Sequence, residues 1–221
     1  MDRRKDLKAS FWGGLRSMGD MMLLNWLWFF TALPIVTIGP ATCALYSVSL
    51  KLVRREHAHT VKDFFRAFRD NFRPGLVLGL MALVLAVLAG GDWLFALEQT
   101  GPLHTLYMAL AVFILAVLLT FVCYAFALQA MFENPLKQQI KNAFTLAFLS
   151  PGKTLMMWLI SIFPWAALIV LPKVVIAMLG FLYLIFGFSG PVWLNSRILR
   201  DVFDKVNGGP VRPEAEDAEE E

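Results

Sequence analysis

Charged residues are missing from long stretches of this sequence. No lysine or arginine occurs between Arg73 and Lys137, and no charged residue of either sign occurs between Lys173 and Arg197. Of the 221 residues, 17% are charged and 58% are hydrophobic. Soluble domains carry about 25% charged residues. The shortage of charge excludes an ordinary water-soluble domain as the class of protein.

The runs without charge are long enough to cross a membrane. A hydrocarbon core of about 30 Å needs about 20 apolar residues in an α-helix. The runs lack the alternation of apolar and polar residues that a barrel strand needs. The sequence therefore predicts an all-α integral membrane protein, a polytopic helical bundle in one membrane domain over residues 1–206. Four predicted spans follow an N-terminal hairpin: residues 75–96, 103–132, 154–171 and 174–196.

Cysteines and membrane-buried ionisable groups are also scarce. Cys43 and Cys123 fall at different predicted depths, so no disulfide is expected. Asp92, Glu98 and His104 fall at the rim of the predicted spans, whereas ion-coupled carriers place such groups at depth. No nucleophile motif or phosphate-binding glycine loop occurs. We therefore expect no enzyme activity, no cofactor and no nucleic-acid partner.

One short loop holds three potential metal ligands, Glu56, His57 and His59. Structural zinc sites need about four ligands, and no further histidine or cysteine lies near in the sequence. The loop is therefore interpreted as solvated, and no metal site is predicted.

The basic residues indicate the orientation in the membrane. They concentrate at the N-terminus, in residues 51–73 and 133–153, and after the last span. Basic loops stay on the cytoplasmic side, so both termini are predicted to be cytoplasmic in the cell membrane. Residues 207–221 contain hardly any apolar residues and are predicted to form a disordered acidic tail. Its acids are Glu214, Glu216, Asp217, Glu219, Glu220 and Glu221.

The first apolar block, residues 18–53, contains the sequence LPIVTIGPATCALY. Pro34 removes a helical hydrogen bond and restricts the residue before it. Gly39 and Pro40 suit a turn and the start of a new helix. The block is therefore predicted to form a hairpin with arms Met18–Leu33 and Pro40–Val53. The alternative prediction is a single kinked span with an external N-terminus, although it violates the rule that basic segments stay on the cytoplasmic side.

The predicted hairpin carries neutral polar side chains. Hydroxyl and amide groups of this kind commonly pack membrane helices together. Since a polar, proline-broken insert is costly in lipid unless protein covers it, the hairpin is also a candidate docking or gating element. The candidate hairpin motif comprises Asn25, Pro34, Thr37, Gly39, Pro40 and Thr42.

Two amphipathic helices are predicted on the cytoplasmic side, over residues 60–73 and 136–148. In the first, an apolar stripe at helical spacing opposes a set of basic residues, which is typical of a helix lying in the membrane interface. The phenylalanines are expected in the lipid and the arginines near headgroups. The candidate membrane or partner interface comprises Phe64, Phe65, Phe68, Phe72, Arg66 and Arg69.

Two segments resemble a known family. Residues 25–54, with Asn-Trp-Leu-Trp followed by Leu-Pro-Ile-Val-Thr-Ile-Gly-Pro, and residues 63–75, Asp-Phe-Phe-Arg-Ala-Phe-Arg-Asp-Asn-Phe-Arg-Pro-Gly, resemble the YesL-like family of small bacterial membrane proteins. Beyond residue 75 the resemblance rests on size and hydropathy. The family has no established activity. Its members are often encoded beside carbohydrate ABC-transporter genes, which implies a role near sugar uptake.

Two functions of different classes follow. The first is a non-enzymatic accessory or regulatory partner of a carbohydrate ABC transporter, in contact with the lipid bilayer and with permease or ATPase subunits. The alternative is a small stand-alone transporter or channel, assembled as a homo-oligomer and lined by the polar hairpin.

Overall fold

The computed structural model describes the backbone of residues 3–54, 56, 58–132, 134–170 and 172–207. Side chains are described from Ser17 onward, except in residues 168–171, 173–179 and 207 and at the gaps between these ranges. The predicted acidic tail after Asn207 and the candidate metal ligand His57 lie outside the described residues.

The described residues form helices and short connections, which confirms the predicted all-α polytopic fold. A 3₁₀ turn at Ile35–Thr37 lies between the first two α-helices. The α-helices are α1 (Arg3–Ala32), α2 (Ile38–Arg54), α3 (Thr60–Asp70), α4 (Phe72–Glu98), α5 (Pro102–Met131), α6 (Leu136–Leu149), α7 (Pro151–Val170), α8 (Lys173–Phe186) and α9 (Ser189–Asn207).

Three helical segments of the described residues are long and apolar enough to cross a membrane, namely residues 35–54, 72–98 and 102–131. Helices α6 and α7 form a pair bent by 106°, which makes a fourth crossing if the pair is one span. These lengths match the roughly 20 residues that a bilayer requires. The protein is therefore a polytopic helical membrane protein.

Helices α4 and α5 form a long apolar hairpin. Gly101, with φ at 67°, makes the turn between them, a backbone angle that favours glycine. Towards the turn, most side chains of α4 and about half of those of α5 are exposed, and most of these are aliphatic or aromatic. Exposed apolar surface on this scale is what lipid contact requires of a membrane helix. The hairpin therefore forms one lipid-facing part of the fold.

Helix α2 is the central helix of the fold. It contacts α1, α3, α4, α5 and α9, and most of its side chains are buried. On one side Ala44, Leu45 and Val48 pack with Leu24 of α1 and Phe64 of α3. On another side α2 joins the largest core cluster, to which α4, α5, α6, α7 and α9 also contribute. The protein's own helices therefore surround the second arm of the predicted hairpin.

Several boundaries differ from the sequence prediction. The predicted span 174–196 is divided, since α8 ends at Phe186 and α9 begins at Ser189. The predicted amphipathic helix 60–73 ends at Asp70, and α4 begins at Phe72 rather than at residue 75. Pro74 therefore lies in the first turn of α4, where its missing N–H removes no helical hydrogen bond.

Candidate functional site at the N-terminal hairpin

A compact turn separates the two arms of the hairpin. Pro34 has extended geometry, with φ −72° and ψ 114°, which stops α1. The Thr37 hydroxyl lies 2.6 Å from the carbonyl oxygen of Thr31 and 2.7 Å from that of Pro34. These carbonyls lie in the last turn of α1 and just after it, where helical partners are missing. The Thr37 hydroxyl is therefore a hydrogen-bond donor for backbone carbonyls that lose their helical partners because of Pro34.

Side-chain contacts between the arms make them antiparallel. The Trp28 indole N–H donates to the Thr42 hydroxyl at 3.1 Å, and Thr42 donates to the carbonyl of Ile38 at 2.7 Å. Further from the turn, Leu24 of α1 shares a buried cluster with Leu45 and Val48 of α2. The bond between residues 28 and 42, with these later residues of α2 beside Leu24, describes a helical hairpin, as the sequence suggests.

The start of α2 crosses α4 with almost no space between the backbones. A Cβ atom added to Gly39 would overlap the carbonyl oxygen of Gly75 and lie 2.9 Å from the Cα atom of Gly79. One added to Gly75 would lie 2.8 Å from the Cα atom of Pro40. Gly75 and Gly79 form a Gly-x-x-x-Gly pattern, which permits such close helix crossings in membranes. Sequence analysis missed both residues, although this pattern could have indicated them.

Asn25 joins the hairpin to the break between α8 and α9. Its side-chain amide donates to the carbonyl of Leu184 at 2.8 Å. Its oxygen accepts from the backbone N–H groups of Phe188 at 2.9 Å and Ser189 at 3.1 Å. Asn25 is 3% exposed. One side chain therefore hydrogen-bonds backbone groups at both the end of α8 and the start of α9, which lack partners within their own helices.

The predicted phenylalanine stripe on α3 faces two environments. Phe64 is completely buried against α1 and α2, and the partly buried Phe68 packs against the same cluster. Phe65 is 49% exposed, and Phe72, now the first residue of α4, is 39% exposed. The expectation that the whole stripe lies in lipid therefore needs correction, since its centre packs in the protein core.

The outward side of α3 mixes basic and apolar residues. Lys62, Arg66 and Arg69 are exposed there together with Val61 and Phe65. The helix is held against α1 by a hydrogen bond of 2.8 Å from the Thr60 hydroxyl to the Asp20 carboxylate. α3 therefore presents a fixed surface that combines positive charge with an exposed aromatic ring. We call these five residues the α3 surface.

Helix α9 contacts the C-terminal end of α2, the end away from the hairpin turn. Arg54 pairs with Asp204 at 3.3 Å. The Arg200 side chain donates to the carbonyl of Val53 at 3.5 Å, near the C-terminus of α2, where carbonyls lack helical partners. The end of α2 is therefore fixed by residues almost 150 positions away in the sequence.

The buried polar side chains of the described core are amides and hydroxyls. Asn195 donates to the Ser161 hydroxyl at 3.0 Å, and Tyr124 bonds Thr154 at 2.8 Å. Such bonds fix helices against one another in a membrane. Within the described part of the chain no three histidine, cysteine, aspartate or glutamate side chains are placed to hold a metal.

The geometry defines a class of protein, a polytopic helical membrane protein in which the protein's other helices enclose the second arm of a proline-broken hairpin. Residues 21–93 match the family described as "Protein of unknown function, DUF624". This segment contains both arms' contact residues, the α3 surface and the glycine crossing.

A curated relative, described as "Uncharacterized protein YesL" from Bacillus subtilis (strain 168), is 27% identical over 139 residues. The match covers 61% of this chain and 65% of the relative, slightly less than two thirds of the relative's length. No solved structure matches the chain. These findings confirm the predicted resemblance to the YesL-like proteins, whose function is unknown.

Proposed function

We propose that this protein is a non-enzymatic accessory or regulatory partner of a carbohydrate ABC transporter in the bacterial inner membrane. The observation that carries the proposal is the α3 surface, where exposed Phe65 stands among Arg66, Arg69 and Lys62 on a helix fixed by buried Phe64. Aromatic and arginine side chains are enriched where proteins bind each other. The link to sugar uptake comes from the family resemblance alone.

The neutral core supports a binding role over a catalytic one. Most buried polar residues of the described helices bond to backbone groups or to one another, as Asn25 and Thr42 do, whereas the buried hydroxyls of Ser49 and Ser189 make no such bond. Catalysis needs an acid, base or nucleophile positioned towards a substrate. The contacts around the hairpin are instead those of a rigid scaffold.

The alternative, a stand-alone transporter or channel lined by the hairpin, has less support. Thr37 and Asn25 use their polar atoms within the chain. Ser49 is 1% exposed and lies in the core. A pore lining needs polar groups directed to an open passage. Substrate flux through the purified protein in liposomes would favour this alternative.

We further propose that both termini lie in the cytoplasm, because the basic residues cluster beside them. A Ser10→Cys variant should be shielded from a membrane-impermeant thiol reagent in intact cells and should react after the membrane is opened. Cys43 and Cys123 are completely buried, so they should contribute little labelling. Labelling of residue 10 in intact cells would contradict this orientation.

The partner proposal is tested with the Phe65→Ala variant. Cells expressing tagged protein are cross-linked, their membranes are solubilised, and the recovered proteins are identified by mass spectrometry. We expect the native chain to recover a permease or ATPase of a carbohydrate ABC transporter. Phe65→Ala should lower that recovery at least about tenfold, because buried aromatic anchors carry much of an interface's binding energy.

The matched control is Phe148→Ala, since Phe148 is also an exposed phenylalanine, 83% accessible, on the other predicted amphipathic helix. It should leave recovery unchanged. Replacing Phe64 would be uninformative because that ring belongs to the core. Equal recovery with Phe65→Ala and the native chain would contradict the assignment of the α3 surface, and recovery of no transporter subunit would contradict the proposed function.

A further inference from the structure

A groove between α7 and α9 opens to the outside of the fold. Its volume is about 410 Å³, and its walls are almost entirely apolar. Leu159, Phe163 and Pro164 of α7 line one side of it. Gly190 and Leu194 of α9 line the other side, where the glycine has no side chain to fill the space. A volume in this range is typical of a ligand-binding cleft.

A hydrogen bond fixes the two helices beside the groove. Asn195, the neighbour of Leu194, donates to the Ser161 hydroxyl at 3.0 Å. Leu159 and Phe163 are 68% and 73% exposed, so the groove faces away from the core. Apolar side chains exposed on a membrane helix meet lipid. The groove is therefore preformed and lies on a surface that lipid covers.

An arginine lies at one end of the groove. Gly190, Leu194 and Arg197 fall at positions i, i+4 and i+7, so they share one face of α9. Arg197 is the first charged residue after Lys173, and it therefore marks where the apolar sequence reaches the membrane interface. Gly190 lies about 10 Å from it along the helix axis. The groove therefore extends from the interface into a hydrocarbon leaflet about 15 Å deep.

Arg197 is positioned to bind an anion. It is exposed, and its Cζ atom lies 3.8 Å from the centroid of the Trp193 ring. Stacking orients the guanidinium, whose N–H groups can still donate to phosphate oxygens in a bidentate geometry. Asp201, one turn away, pairs with Arg200 at 3.0 Å. Among the residues that the structure describes, no carboxylate forms an ion pair with Arg197.

We propose that this groove binds one anionic phospholipid, with an acyl chain between α7 and α9 and the phosphate at Arg197. A ligand for this site must combine an anion at the interface with an apolar chain that reaches inwards, and a phospholipid has both. Basic residues between membrane helices bind such headgroups. A zwitterionic headgroup is less favourable, because its cation finds no carboxylate beside Arg197 that lacks a partner among the described residues.

The test is photochemical labelling of the full chain in vesicles of phosphatidylcholine and phosphatidylglycerol. One of the two lipids carries a diazirine in the middle of an acyl chain, and the labelled peptides are identified by mass spectrometry. At residues 159–164 and 190–194 the phosphatidylglycerol probe should label about fivefold more than the phosphatidylcholine probe. This ratio corresponds to about 1 kcal/mol from one basic residue. The α4–α5 hairpin, which meets bulk lipid, should show no preference.

Two variants test the two ends of the site, each with a matched control. Arg197→Gln should abolish the preference, whereas Lys205→Gln removes another exposed cation of α9 and should leave it unchanged. Gly190→Leu should fill the groove and lower its labelling by both probes at least about fivefold. Its Cβ meets only the Phe186 Cβ, at 3.7 Å, so the chain should still fold. Gly152→Leu, also at the second position of a helix and with no atom within 4 Å, should change neither result.

Several results would overturn the proposal. Equal labelling of the groove by the two probes would do so, as would a preference that survives Arg197→Gln. Labelling unchanged by Gly190→Leu would show that no acyl chain lies between the helices. A groove that neither probe labels would be covered by protein, either a second copy of this chain or another partner, and this also contradicts a lipid site. These outcomes do not depend on any transporter partner.

Discussion

Replacing Gly75 by alanine is expected to lower the free energy of unfolding by about 3 kcal/mol or more. The added Cβ would lie 2.8 Å from the Cα of Pro40 and 2.9 Å from its nitrogen, and these are backbone atoms that cannot rotate away. Alanine is otherwise favoured over glycine in a helix interior by about 1 kcal/mol. A loss of stability would therefore be opposite to the effect of helix propensity, and it would indicate that α2 and α4 cross in close contact.

The same helix supplies the controls for this prediction. Gly90 and Gly91 also lie in α4, and a Cβ added to either has no atom within 4 Å. Gly90→Ala and Gly91→Ala should be neutral or stabilising. Unfolding can be followed by the reaction of a thiol dye with the buried Cys43 and Cys123 on heating. We expect Gly75→Ala to lower Tm by about 6–12 °C; an unchanged or higher Tm would show that the backbones are not in close contact.

Replacing Asn25 by alanine is expected to destabilise the fold by about 3 kcal/mol. The variant would leave the carbonyl of Leu184 and the N–H groups of Phe188 and Ser189 without a partner. Inside a membrane no water replaces these bonds, and each unpaired backbone group is costly. The loss should appear first as exchange or proteolysis at the break between α8 and α9.

The matched control for Asn25 is Asn142→Ala. Asn142 accepts a hydrogen bond of 2.9 Å from Gln138 on the exposed face of α6, where solvent or headgroups replace the lost bond. Its Tm should change by less than about 2 °C. If the Asn25 and Asn142 variants unfold at the same temperature, and the break gains no protease sensitivity, Asn25 does not hold α8 and α9 together.

Local signals made the hairpin turn predictable from sequence. Pro34 constrains the backbone on both sides of itself, so the end of α1 at Ala32 follows from covalent geometry. The break after Phe186 was missed because the surrounding residues are uniformly apolar and hydropathy does not register it. Gly187 and Pro191 were its local indications.

The candidate site was less predictable because its contacts join distant residues. Asn25 bonds a backbone segment 163 positions away. The periodicity of α3 predicted an amphipathic helix but could not tell whether its apolar side meets lipid or protein, since both are equally apolar. Phe64 meets protein and Phe65 remains exposed, a division that depends on where α1 and α2 pack.

The enclosure of α2 has a consequence for how the chain is made. Asp204, the partner of Arg54, is synthesised 150 residues later, an interval of about 8–30 s at 5–20 residues per second. Until α9 is synthesised, Asn25 and the C-terminal end of α2 lack their later hydrogen-bond partners. During this interval the hairpin is incompletely packed and must be held by the insertion machinery or a chaperone. A chain truncated before α9 should therefore be degraded by membrane proteases.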